Sequence, residues 1–155
     1  MNKKWGIFIL CTLCLLIGCK PAAAPITIEE EANIQGADPI EGTFTGKTDQ
    51  GEDFTLWVEN INGTLTVTRI LYNSKLTGNG WSVTITRYQG VDCNFAIQAG
   101  QFMGIINEYN SKIEISGVFT SASIVIGRLR ETMTHEQVEY GTAVADVTFE
   151  AELSH

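Results

Sequence analysis

From residue 40 onward, apolar and polar residues alternate with a period of two, the pattern of half-buried β-strands. Phe54, Leu56 and Val58 alternate with Thr55, Trp57 and Glu59. Asn62-Gly63 follows, a strong signal for a two-residue hairpin turn, because both positions accept positive φ. Leu65 and Val67 then alternate with Thr64, Thr66 and Thr68. A loop holding Gly78, Asn79 and Gly80 leads to a strand over 81–86. Further strands are predicted over 40–48, 93–98, 101–107, 112–120 and 123–130, and residues 131–140 read as a long hairpin connection. The last segment has the longest unbroken alternation. Ala143, Ala145, Val147, Phe149, Ala151 and Leu153 fall on one side, and Asp146, Thr148, Glu150 and Glu152 on the other. That pattern has a physical cause only if the apolar side is buried, so the C-terminal strand is expected to pair inside the sheet.

No window shows a helical period. About nine short strands, separated by Gly, Asn and Asp turns at spacings near ten residues, predict an all-β domain. An antiparallel β-sandwich is the favoured architecture, and a small up-and-down, calycin-like β-barrel is the alternative. A domain over 40–155 is long enough to bury roughly two thirds of its unfolded surface.

The N-terminus has a different texture. Lys3 and Lys4 precede a 13-residue, uncharged, mostly apolar run over residues 5–17. A spanning helix needs about 20 residues, so the run has the length of a signal-peptide core. It ends in Leu16-Ile17-Gly18-Cys19. These four residues resemble the lipobox of bacterial lipoproteins. The resemblance implies a signal peptide over 1–18 and a diacylated Cys19 as the mature N-terminus. The protein would then be extracytoplasmic, held to the cell membrane by acyl chains, and sorted to the outer membrane where the cell has one. Residues 19–39 carry Pro21, an Ala run, Pro25 and three consecutive Glu, the composition of a flexible tether.

The chain has ten basic and 18 acidic residues, a net charge of −8. Loss of residues 1–18 leaves eight basic against 18 acidic, a net charge of −10. Phosphate backbones need a basic face, so nucleic acid is excluded as a partner. The same charge keeps the polypeptide off anionic lipid, leaving membrane attachment to the acyl chains.

Within the domain, Gly42-Thr43-Phe44, Thr48-Asp49-Gln50-Gly51, Ile115-Ser116-Gly117-Val118-Phe119 and Phe149-Glu150-Ala151 resemble a small secreted β module of an uncharacterised family of bacterial surface proteins. The resemblance spans most of residues 42–151 and rests on Gly, Phe and Thr. It implies an all-β extracytoplasmic module and transfers no catalytic or binding residue. The family resemblance also includes versions with paired cysteines, whereas this domain has only Cys93.

Candidate chemistry is sparse. Cys93 alternates with Phe95 and Ile97, which points it into the core as a small hydrophobe. Glu150 and Glu152 share one side of a strand at roughly 6.5–7 Å. Inverting glycosidases separate their carboxyls by about 6.5–9.5 Å, but across a cleft and not along one outer face. Asp49, Glu52 and Asp53 around Gly51 read as an acidic turn, and no metal or cofactor site is expected. Trp57 falls opposite to the apolar set of its strand, with Thr55. Tyr88 falls with Thr84 and Thr86 on a polar side. Trp57, Tyr88, Thr55, Thr84 and Thr86 form the candidate binding face, suited to a carbohydrate or a protein. The expected function is a non-catalytic, lipid-anchored binding or structural module. A small barrel holding an apolar ligand is the second reading, and a carbohydrate-active hydrolase the third.

Overall fold

A computed structural model describes residues 35–78, 80–86, 90–135 and 141–154. Cys19 and Tyr88 lie outside the described residues. Nine strands follow one another: β1 (Gly42–Thr48), β2 (Asp53–Ile61), β3 (Thr64–Gly78), β4 (Ser82–Thr86), β5 (Val91–Ala96), β6 (Gln101–Asn107), β7 (Ser111–Ser121), β8 (Ile124–Thr134) and β9 (Thr142–Leu153). Every pairing is antiparallel. The domain is therefore all-β, as the alternation predicts. The strands form one sheet in the order β4-β3-β2-β1-β9-β8-β7-β6, with β5 on β3. The sheet folds over its own inner side, an arrangement consistent with a sandwich or a small barrel.

Local chemistry sets the corners. Asn62 and Gly63 both take positive φ, 53° and 90°, which gives the tight β2–β3 hairpin the right-handed twist it needs. In β3 the pairing slips between Trp57 and Val58 of β2 and between Val67 and Arg69 on the β5 side. Val67 faces inward before the slip, and Ile70, Tyr72, Ser74 and Leu76 after it. Alternation in the sequence breaks at the same place, which is why the pattern follows this strand only to Thr68 although it runs for 15 residues.

The β1–β2 turn ends short of the strands beside it. Asp49 N–H donates to Thr148 O, and the Gln50 side-chain amide bonds both ways to Lys75. Beyond that turn β3 and β9 meet directly, Thr77 opposite Val144 and Gly78 opposite Ala143. Gly36 and Ala37 are already bonded to the domain, to Ala99 O and Phe119 O.

β9 lies between β8 on one edge and β1 on the other. Its inner residues Val147, Phe149 and Ala151 belong to the main core with Phe44, Phe54, Leu56, Ile70 and Phe119. The Phe149 ring stacks on Phe54 with centroids 4.0 Å apart. Gly127 makes room for it, since a Cβ there would lie 2.4 Å from the ring. Phe149→Ala is accordingly expected to cost about 3–5 kcal/mol. Glu150→Gln, on the exposed side, is expected to stay within about 0.5 kcal/mol. Denaturant melts check both, and an unchanged Phe149→Ala melt would overturn the inward assignment.

One element departs from expectation. Residues 131–134 continue β8 and are not part of a hairpin connection. The sequence hides this because Glu131 stands at an inward position, in step with Val125 and Leu129, where an apolar residue is the rule.

Candidate functional site

Glu131 is fully buried. Its cost of burial is offset by three hydroxyls brought from two other strands, β3 and β7. Tyr72 Oη donates to Oε2 at 2.9 Å, and Ser74 Oγ donates to the same oxygen at 3.1 Å. Ser111 Oγ donates to Oε1 at 2.6 Å. These residues make a polar layer across the interior. On one side lies the main aromatic core. On the other lies a smaller cluster of Leu76, Ala143 and Ala145, flanked by Trp81, Val83, Ile85 and Met133. Removing one donor leaves a buried oxygen short of a partner. Tyr72→Phe is therefore expected to destabilise the domain by about 1–3 kcal/mol, and a thermal or urea melt reads it. A Tyr72→Phe protein as stable as its parent would show that the layer is not needed.

Ser111 also borders the outside. The ends of β7 and β8, with the 108–110 turn, form an open groove of about 840 Å³. Strand register fixes its walls. Lys112 stands opposite Thr132, and Glu114 opposite Arg130. Lys112 Nζ pairs with Glu114 Oε1 at 2.6 Å. The 108–110 turn is held by Glu108 N–H to Ser111 O and by Thr134 N–H to Asn110 O. It presents the Tyr109 ring, which is 94% exposed. At the far side His135 meets Trp81 edge-on, with ring centroids 5.1 Å apart. The groove thus offers one free aromatic ring, threonine hydroxyls and charges of both signs. That set suits a ligand bearing many hydroxyls: the ring stacks on its apolar face, and the polar groups bond its edge. Alternation could not reveal this site, because Tyr109 lies in a turn and Lys112, Arg130 and Thr132 read as ordinary outward positions.

Four of the five residues of the sequence-derived face are described. Thr55 and Trp57 point outward from β2, Thr84 and Thr86 outward from β4, and β3 runs between them. Trp57 is half-buried. The Arg69 guanidinium lies over its ring at 5.8 Å, and Asp92 fixes that guanidinium at 2.8 Å. One face of the indole is therefore already occupied.

The other candidates take structural places. Burial, and next the charge of Asp92, pushes the Cys93 thiol up to about 12. A thiol so placed stays protonated at neutral pH and is no nucleophile. Its Sγ lies 3.3 Å from Val67 O. Glu150 and Glu152 are both exposed on the outer side of β9. On the same sheet face Arg128 holds Asp146 by two 2.6 Å bonds. Chiefly through that bonding, it keeps the Asp146 carboxyl below its usual range. Among the described residues, no group of three or more His, Cys, Asp or Glu is placed to hold a metal ion. Comparison with protein-family models, with curated proteins and with solved structures gives no match.

Proposed function

We propose that this chain is a lipid-anchored, non-catalytic binding module of the bacterial cell envelope, and that its groove recognises a carbohydrate-class ligand. The groove beside Tyr109 is the observation that carries the reading. It joins an exposed aromatic ring to threonine hydroxyls and paired charges on rigid strands, the usual makeup of a site that holds a hydroxyl-rich ligand without transforming it. Non-catalytic action is supported by the placement of the acids weighed as a catalytic pair and of the buried one. Glu150 and Glu152 stand on an open outer face, and Glu131 is enclosed under three hydroxyls. The outward Trp57 face is a second surface of the same kind, with less free ring.

Anchoring rests on Leu16-Ile17-Gly18-Cys19 behind a short apolar run. Metabolic labelling with a fatty acid tests it. The parent is expected to take up label and the Cys19→Ala variant none, and equal label in both would contradict the anchor. Co-sedimentation with isolated cell-wall sacculi tests the groove. The parent is expected to sediment, and Tyr109→Ala to bind roughly three- to tenfold more weakly, the worth of one stacked ring. Sedimentation that ignores Tyr109, or its absence in the parent, would overturn the carbohydrate reading.

A further inference from the structure

Acids outnumber bases by 18 to ten in this chain, so a basic side chain seldom lacks a carboxylate to pair with. The described residues include six basic side chains: Lys47, Arg69, Lys75, Lys112, Arg128 and Arg130. Four of them are ion-paired, Lys47 to Asp53, Arg69 to Asp92, Lys112 to Glu114 and Arg128 to Asp146. Lys75 and Arg130 have no such pair among the described residues. Lys75 stands on β3 opposite Thr84, whereas Arg130 lines the groove together with Tyr109, Ser111, Thr132 and Thr134.

Strand register makes this freedom informative. Arg130 stands on β8 between Glu114 of β7 and Asp146 of β9, its direct cross-strand neighbours. Opposite charges so placed normally pair. Here each acid is engaged by another cation. Glu114 Oε1 accepts from Lys112 Nζ at 2.6 Å, and both Asp146 oxygens accept from Arg128 at 2.6 Å. On the Asp146 carboxyl the Arg128 bond acts most and the charge of Arg130 least. The exposed Arg130 guanidinium thus keeps its donors for the groove, beside a Lys112–Glu114 wall that is already neutral.

We propose that Arg130 is an anion seat, and that the groove takes a glycan carrying an isolated carboxylate or phosphate group; this rests on the carbohydrate reading of the groove. A planar guanidinium offers two parallel N–H donors to two oxygens of either group, and it stays charged at any working pH. β8 sets the spacing. Arg130 and Thr134 share its outer side four positions apart, roughly 13 Å along the strand. Thr134 N–H bonds Asn110 O, which puts the Tyr109 turn at that far end. The ring and the seat therefore address different parts of one ligand. The anionic group sits at least one sugar ring away from the stacked one, with Thr132 between them. A single seat is not a basic face, so the acidic chain still repels a dense polyanion. An isolated anion is accepted, because charges more than about 8 Å away are largely screened at physiological salt.

Co-sedimentation of the full chain in detergent tests the seat on three preparations of isolated sacculi: untreated, with carboxylates amidated, and with phosphodiester polymers removed by hydrofluoric acid. Arg130→Gln is expected to melt like the parent, since the side chain is exposed, and to bind untreated walls about tenfold more weakly, the worth of one charge-assisted pair. Comparing variant with parent on each wall cancels the change in overall wall charge. The deficit is expected to vanish on amidated walls for a carboxylate ligand and on acid-treated walls for a phosphate ligand, and loss on either supports the seat. A deficit of the same size on all three walls means that Arg130 meets uncharged groups, which overturns the proposal. An Arg130→Gln protein that binds as the parent does, while Tyr109→Ala binds weakly, overturns the seat and leaves the carbohydrate reading standing. A parent that does not sediment overturns both.

Discussion

The pairing of the first strand with the last holds this domain together. β1 lies against β9 from Phe44–Leu153 to Thr48–Phe149, across about a hundred residues of chain. Without that ladder only the short β3–β9 pairing would join a β1–β5 half to a β6–β9 half, and much of the apolar side of each would open to water. With it, Phe54 of β2 reaches Phe149 of β9, and Phe44 of β1 meets Phe119 of β7 edge-on at 5.3 Å. Closing so long a loop is entropically costly, but the cost grows only slowly with loop length, and burial of several aromatic rings offsets it.

The same closure creates the polar layer. Once β3 faces β7 and β8 across the interior, Tyr72 and Ser74 of β3 and Ser111 of β7 converge on Glu131 of β8. Each would be a poor core residue alone. Together they satisfy one another, which fixes how the two halves of the sheet align in a way apolar contacts cannot. The ladder that places Ser111 at this layer also sets Lys112, Arg130 and Thr132 on the outer wall of the groove, one residue out of step. Interior polarity and exterior site are thus two sides of the same pair of strands.

How far the sequence could be read follows from what each feature depends on. Strands with an apolar inner side and a polar outer side were legible, as β2 and β9 show, because burial imposes the period directly. The Asn62-Gly63 turn was legible because its backbone requires those residues. Where tertiary contacts override the period, reading failed. The slip in β3 displaces the inward set by one position, so the alternation of a 15-residue strand was legible only as far as Thr68. Glu131 looked like a loop residue because its hydroxyl donors lie 20 to 59 positions away. Trp57 points outward but is half-buried, because Arg69 and Asp92 come from β3 and β5 to cover its ring, and those partners could not be paired in advance. The groove needed the turn at Tyr109 and the register of β7 on β8, neither of which leaves a periodic trace.

Native-state hydrogen exchange measures the central closure most directly. If the β1–β9 ladder holds the two halves together, its bonded amides exchange only when the whole domain unfolds. They should then share one slow free energy with the core of β8, and that value should equal the denaturant-derived stability. If the β1–β9 amides exchange well before those of the β7–β8 ladder, the two halves open independently, and the account of a single continuous sheet joined at β1–β9 is wrong.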